Sequence, residues 1–160
     1  MNRYVDSSAS RFTASGSGLT IEPSLSFYIS RYVEMSTAAM REFMNITKAL
    51  ADESRIRLLF ALREGELCAC QLVEFLALAG STVSKHLSLL YQSGLVGMRK
   101  EGRWVYYSLP GSDAPPTVQS ALKWVFQSAG DQPRIREDAR SLRRILKLDP
   151  VELCRRQCKR

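Results

Sequence analysis

The chain has one histidine, His86, among 160 residues. Nothing in the sequence offers that imidazole a nucleophile to activate, and no glycine-rich loop suited to cradling phosphate is present, so an enzyme is disfavoured. Long apolar runs are also missing. None approaches the ~18 residues that span a bilayer, and the opening MNRYVDSSAS has no apolar signal core, so a cytoplasmic protein with no membrane partner is expected. In that compartment the four cysteines are expected as thiols rather than disulfides, open to metal or redox chemistry. Acidic residues are the minority, 16 Asp and Glu against 23 Lys and Arg, for a net charge of +7. That balance favours a polyanionic partner such as nucleic acid.

What is present is organised around Gly65 to Val96. Two short helical patterns flank a break at Ala77 to Gly80, too short to let them separate, so they cross closely as in a helix-turn-helix. In the second, Val83, Leu87 and Leu90 share one face and belong to a core. Ser81, Lys85, Ser88 and Gln92 lie nearly opposite, flanked by Thr82 and Ser84. A face of small polar side chains with one positive charge fits between base edges and phosphates. Gly94 ends this helix. Two strand-like runs, ending at Lys100 and beginning at Arg103, flank Glu101-Gly102 and predict a hairpin with Arg99, Lys100 and Arg103 at its tip.

Around this centre the chain reads as three regions. Residues 1–24, rich in Ser, Gly and Thr, read as a flexible arm. Residues 25–109 hold a first helix with Phe43, Ile46 and Leu50 at helical spacing, then a second helix capped by Asp52 and stopped by Gly65. Residues 110–160 begin with the turn cluster PGSDAPP and continue with a helix through Leu122, Val125 and Phe126. After a break at Gly130 to Pro133 comes one last helical region through Leu148 and a basic tail. That tail is either a solvated face or a source of extra phosphate contacts.

Cys68 and Cys70 are the most pointed chemical feature. The helical pattern after them starts at Leu72, which predicts Cys68 in extended chain and Cys70 near the N-cap. Unsatisfied N–H groups there lower a thiol's pKa. A soft thiolate pair suits a soft ligand. Cys154 and Cys158, spaced i, i+4, share a helix face and are possible further ligands.

ELCACQLVEFL, STVSKHLSLL, SGLV and RKEGRWVYYSL together resemble the ArsR family of winged-helix repressors, without gaps from about Phe43 to Leu109. The resemblance implies a mostly α fold with a small β-hairpin, a winged helix-turn-helix between N- and C-terminal dimerisation helices. It implies a homodimer on a double-stranded DNA operator, contacted through Ser81, Thr82, Ser84, Lys85, Arg99, Lys100 and Arg103. It also implies that Cys68 and Cys70 bind trivalent arsenic or antimony as inducer, with zinc the lesser alternative and no cofactor needed for folding. Three departures from the family stand out. Val73 occupies the position of a third cysteine, Ala79 replaces a Ser or Thr cap, and Gly80 replaces a polar base-reading residue. The paired-histidine site of zinc and nickel sensors cannot exist, because Thr117 to Gly130 has no His, Asp or Glu. The alternatives are a thiol redox switch on the same DNA-binding scaffold and a winged-helix protein-interaction module.

Overall fold

The computed structural model describes residues 25–157, so the arm expected over 1–24, and Cys158, lie outside the described residues. The elements run α1 (Leu25–Leu50), α2 (Glu53–Ala61), a 3₁₀ turn (Leu62–Glu64), β1 (Leu67–Cys68), α3 (Ala69–Leu76), α4 (Gly80–Gln92), β2 (Gly97–Glu101), β3 (Trp104–Ser108), α5 (Pro116–Ala129), α6 (Pro133–Ile145) and α7 (Pro150–Gln157). The described residues divide into two units, 25–35 and 36–157. In the first, Leu25, Tyr28, Ile29, Tyr32 and Val33 of α1 are exposed.

The second unit is built on leucines. Leu58 and Leu59 of α2, Leu72 of α3, Leu87 and Leu90 of α4, and Leu95 are all fully buried. Each such side chain contributes roughly 1.5–3 kcal/mol of apolar burial. Local signals set the helix ends. Asp52 accepts a hydrogen bond from the Arg55 N–H at 3.0 Å and caps α2. After α4, Gly94 takes φ +73°, the Leu95 N–H reaches Leu90 O and the Gly94 N–H reaches Tyr91 O, the paired bonds of a Schellman stop. Between α3 and α4, Ala77 adopts a left-handed φ of 55° to turn the chain within three residues.

Three expectations shift. The hairpin turns at Gly102-Arg103, one residue later than predicted, with Glu101 opposite Trp104. Gly102 then takes the first central position, where φ is +57° and a side chain would be strained. The sheet has a third strand that the sequence did not announce. β1 pairs antiparallel with β3, giving the order β1-β3-β2. The basic tail after Leu148 carries a further helix, α7, whose Pro150 suits the first turn.

α6 and α7 pack back onto the helix-turn-helix, α6 against α2 and α3, and α7 against α3. The joint with α2 is a buried bidentate ion pair. Arg57 donates Nε to Asp138 Oδ2 at 2.6 Å and Nη2 to Oδ1 at 2.9 Å, and this bonding raises the guanidinium pKa against the opposing effect of burial. Leu142, Ile145 and Leu153 extend the core beneath it.

Candidate nucleic-acid interface and thiol site

On α4 the two faces separate as the spacing predicts. Val83, Leu87 and Leu90 are buried, while Ser81, Thr82, Ser84 and Lys85 are exposed side by side. Ala79 gives the helix no side-chain cap, leaving its first N–H groups pointing outward. Short polar side chains, open backbone donors and one ammonium make a surface able to approach a duplex closely.

The wing supplies cations of two kinds. Lys100 and Arg103 are exposed at the hairpin end, Arg103 lying over the Trp104 ring at 5.6 Å. Arg99 is held at the base. It donates Nε and Nη2 to Glu66 at 2.8 and 2.6 Å, donates Nη1 to Glu101, and lies 4.4 Å from the centre of the Tyr106 ring. These bonds depress the Glu66 carboxyl pKa and raise that of the guanidinium. Arg99 is exposed, and its fork is occupied by the carboxylates of Glu66 and Glu101.

The thiol pair sits where β1 becomes α3. Cys68 is both the last residue of β1 and the N-cap of α3, so the helix begins at Ala69, two to three residues earlier than its apolar pattern suggested. Cys70 is therefore inside the first turn. The Cys68 N–H donates to Gln71 Oε1 at 3.0 Å, while the Cys68 sulfur faces the Gln71 N–H, a capping box with sulfur in place of a hydroxyl. Low pKa thus falls on Cys68, not on Cys70 as predicted. The Cys70 thiol donating to Cys68, helped by nearby backbone N–H groups and opposed by burial, brings Cys68 down to about 6. Cys70 moves far the other way, because it holds the shared proton and is buried beside a thiolate. Pro150 O, 3.7 Å from Cys70 Sγ, is an alternative acceptor for that single proton, but a thiolate is the stronger one.

The C-terminal helix closes over this pair. Gln157 Nε2 donates to Cys70 O at 3.0 Å, Leu153 is buried, and Cys154 lies near enough to raise the pKa of Cys70 electrostatically. The tail therefore reaches the thiols, which the sequence left open. Among the described residues no three His, Cys, Asp or Glu side chains form a ready metal-binding group.

The apolar set Phe43, Ile46, Leu50, Leu122, Val125 and Phe126, expected from the sequence to form the two-fold interface, needs correcting. Ile46, Leu122 and Val125 are buried within the chain, Leu50 is half-buried, and Phe126 packs edge-on against Phe60. Their helices carry apolar stripes wider than one face, and the outer edge consists of Met40, Phe43 and Met44 on α1 and Trp124 on α5, all exposed. Sequence reasoning also missed Glu66 and Tyr106, which join the thiol segment to the wing. A two-residue strand is too short to show a period, and only its register with β3 reveals the link.

Residues 52–97 match the model of the bacterial regulatory protein arsR family. The chain is 41% identical over 93 residues to the arsenic resistance transcriptional regulator ArsR1 of Pseudomonas putida, covering 56% of this chain and 72% of that one. It is 39% identical over 78 residues to a cadmium resistance transcriptional regulatory protein CadC homolog of Staphylococcus aureus, covering 48% and 64%. Among solved structures it resembles the homodimeric winged helix-turn-helix DNA-binding domain Mb0332 of Mycobacterium bovis, with a TM-score of 0.51 and 28% identity over 61% of this chain and 86% of that one.

Proposed function

Because the chain belongs to the arsR family of bacterial regulatory proteins, we propose that it is a homodimeric repressor that leaves its operator when Cys68 and Cys70 bind trivalent arsenic or antimony. The observation that carries this reading is the placement of two buried cysteine side chains, Cys68 and Cys70, at the junction of β1 and α3. Soft, polarizable sulfur donors two residues apart favour a thiophilic ion over a hard cation. A bound ion of this kind supplies metal–sulfur bonds that hold both sulfurs together. Cys154, on the helix α7 that packs on α3, is the candidate third sulfur and would have to move in to complete a three-sulfur set.

The protein's own residues supply the coupling. Fixing Cys68 and Cys70 together constrains the first turn of α3, which packs on α4, and also constrains β1, which pairs with the inner strand of the wing. Both DNA-facing elements are thus mechanically tied to the thiols. A difference of about 1–3 kcal/mol in ion affinity between the DNA-competent and DNA-incompetent shapes changes operator affinity roughly 5- to 150-fold. Dimerisation through Met40, Phe43, Met44 and Trp124 doubles the contacts, which a single winged helix needs for selectivity.

A redox reading is favoured by the surroundings of Cys68, where the neighbouring Cys70 thiol and backbone N–H groups lower its pKa, since thiolates are the species that oxidise. Its near-complete burial opposes access by oxidants. The test is a fluorescence-anisotropy titration of the DNA upstream of the protein's own gene, followed by arsenite, cadmium, zinc or peroxide. Release by micromolar arsenite supports the proposal. Release by peroxide alone supports the redox reading, and release by cadmium alone moves the inducer to a divalent ion.

A further inference from the structure

Arg55 binds three elements together and belongs to neither site described above. From α2 it donates Nε to Ala49 O at 2.6 Å and Nη2 to Lys48 O at 3.0 Å, two carbonyls at the C-terminal end of α1. Its Nη1 lies 3.3 Å from His86 Nδ1 on α4. A guanidinium only donates, so in this bond the ring nitrogen Nδ1 is the acceptor. Asp52 completes the cluster, 3.7 Å from Arg55 Nη1 and 3.6 Å from His86 Nδ1. The Arg55 and His86 side chains are 11% and 15% exposed, so water competes little for these bonds.

The contacts that otherwise hold α4 to the core, through Val83, Leu87 and Leu90, are apolar. Apolar burial is non-directional and tolerates small rotations and slides. Charge-assisted bonds from one planar fork do not, because each donor has a fixed direction. Among the described residues, a directional side-chain link from the end of α1 to α4 runs through Arg55 to His86.

We propose that Arg55 and His86 are positioning residues for DNA recognition, fixing the angle between the end of α1 and α4. In a dimer joined through α1, that angle sets the separation of the two recognition helices and hence the half-site spacing the protein accepts. The inference rests on the reading of the chain as a dimeric DNA-binding repressor. Lys85, the neighbour of His86, is exposed on the outer face of α4, so a rotation of α4 at His86 moves the reading side chains directly.

The experiment uses the full chain and duplexes it selects from a random pool. An inverted repeat from that pool is re-synthesised with its spacer lengthened or shortened by single base pairs, alongside a duplex carrying one half-site. Wild type is expected to prefer one spacer by roughly tenfold or more. His86→Leu, which keeps apolar bulk and removes the acceptor, is expected to bind the single half-site within about twofold of wild type while losing most of the spacer preference. His86→Asn, whose side-chain oxygen takes the place of Nδ1, is expected to recover it. An unchanged spacer profile in His86→Leu overturns the inference. Should that variant fail to fold, Arg55→Lys, which keeps the charge and loses the fork, is read by the same two criteria. A wild-type chain that selects no duplex, or sediments as a monomer, removes the repressor reading itself and this inference with it.

Discussion

Cys68 pairs with Tyr106 across the β1–β3 ladder, and Tyr106 pairs in turn with Arg99 across β3–β2. Cys68, the first of the two thiols, is therefore part of the same three-stranded sheet as the wing. Side chains brace this line of residues, since Arg99 lies over Tyr106 and grips Glu66, two residues before Cys68. Under the proposed function, a ligand at Cys68 would act on the wing through backbone pairing and on α4 through α3, two routes from one atom.

The wing cations should separate in a salt titration of DNA affinity. Lys100→Ala and Arg103→Ala are expected to flatten the slope of log K against log salt by about one each, as the loss of a phosphate contact does. Arg99→Gln should leave the slope unchanged, because its charge is already matched by Glu66 and Glu101. A slope reduced by one in Arg99→Gln would return Arg99 to the phosphate-binding set.

The thiol pair gives a pH signature without DNA. Ultraviolet absorbance of the folded, metal-free protein should show one thiolate appearing with a midpoint near about 6, absent from Cys68→Ser. Cys68 has a depressed pKa in the folded state, so between its folded and unfolded values the unfolded chain binds more protons. Stability should then rise with pH across that window. The contribution is complete above the ordinary thiol pKa and is lost as pH falls through about 6. Denaturant melts of wild type and Cys68→Ser across this range check the sign. Equal pH dependence in both proteins contradicts the assignment of the thiolate to Cys68.

Ala77 offers a stability test of the helix-turn-helix. Its left-handed conformation costs a residue with a side chain roughly 1–2 kcal/mol, and glycine gives back part of the difference as backbone entropy. Ala77→Gly is expected to stabilise the fold by up to about 1 kcal/mol in urea melts. A destabilised variant would show that the turn is not where α3 and α4 store strain.

The ion pair of Arg57 and Asp138 tests whether α6 is integral to the domain. Removing one partner, as in Asp138→Ala, should cost about 3–5 kcal/mol by leaving a buried charge unmatched. Replacing both, as in Arg57→Met with Asp138→Leu, should recover most of that loss. A cost under about 1 kcal/mol for Asp138→Ala would mean that α6 is only loosely docked.

The helix-turn-helix was legible in the sequence because its signals are local. The stripe of Val83, Leu87 and Leu90, the Gly94 stop and the aromatic run of β3 each announce themselves within a few residues. The strand partnership of Cys68 was not legible, because it depends on a register with residues far along the chain. The same holds for α7 over Cys70 and for Arg55 between α1 and α4. The helix start was misplaced because Ala69 and Cys70 add little to the apolar pattern, while the cap that fixes it is a cysteine, a residue seldom used there. The outward face of α1 and α5 was misjudged because periodicity marks an apolar stripe without showing which edge a monomer buries.

The central claim is that Cys68 and Cys70 sense the inducer without reading DNA. The most direct measurement is arsenite-driven release of operator DNA by wild type and by the double variant Cys68→Ser, Cys70→Ser, with DNA affinity measured before arsenite is added. The account predicts operator affinity within a few-fold of wild type and no release of the double variant, at arsenite levels that lower wild-type affinity roughly 5- to 150-fold. Release of the double variant at the same arsenite concentration as wild type would contradict it.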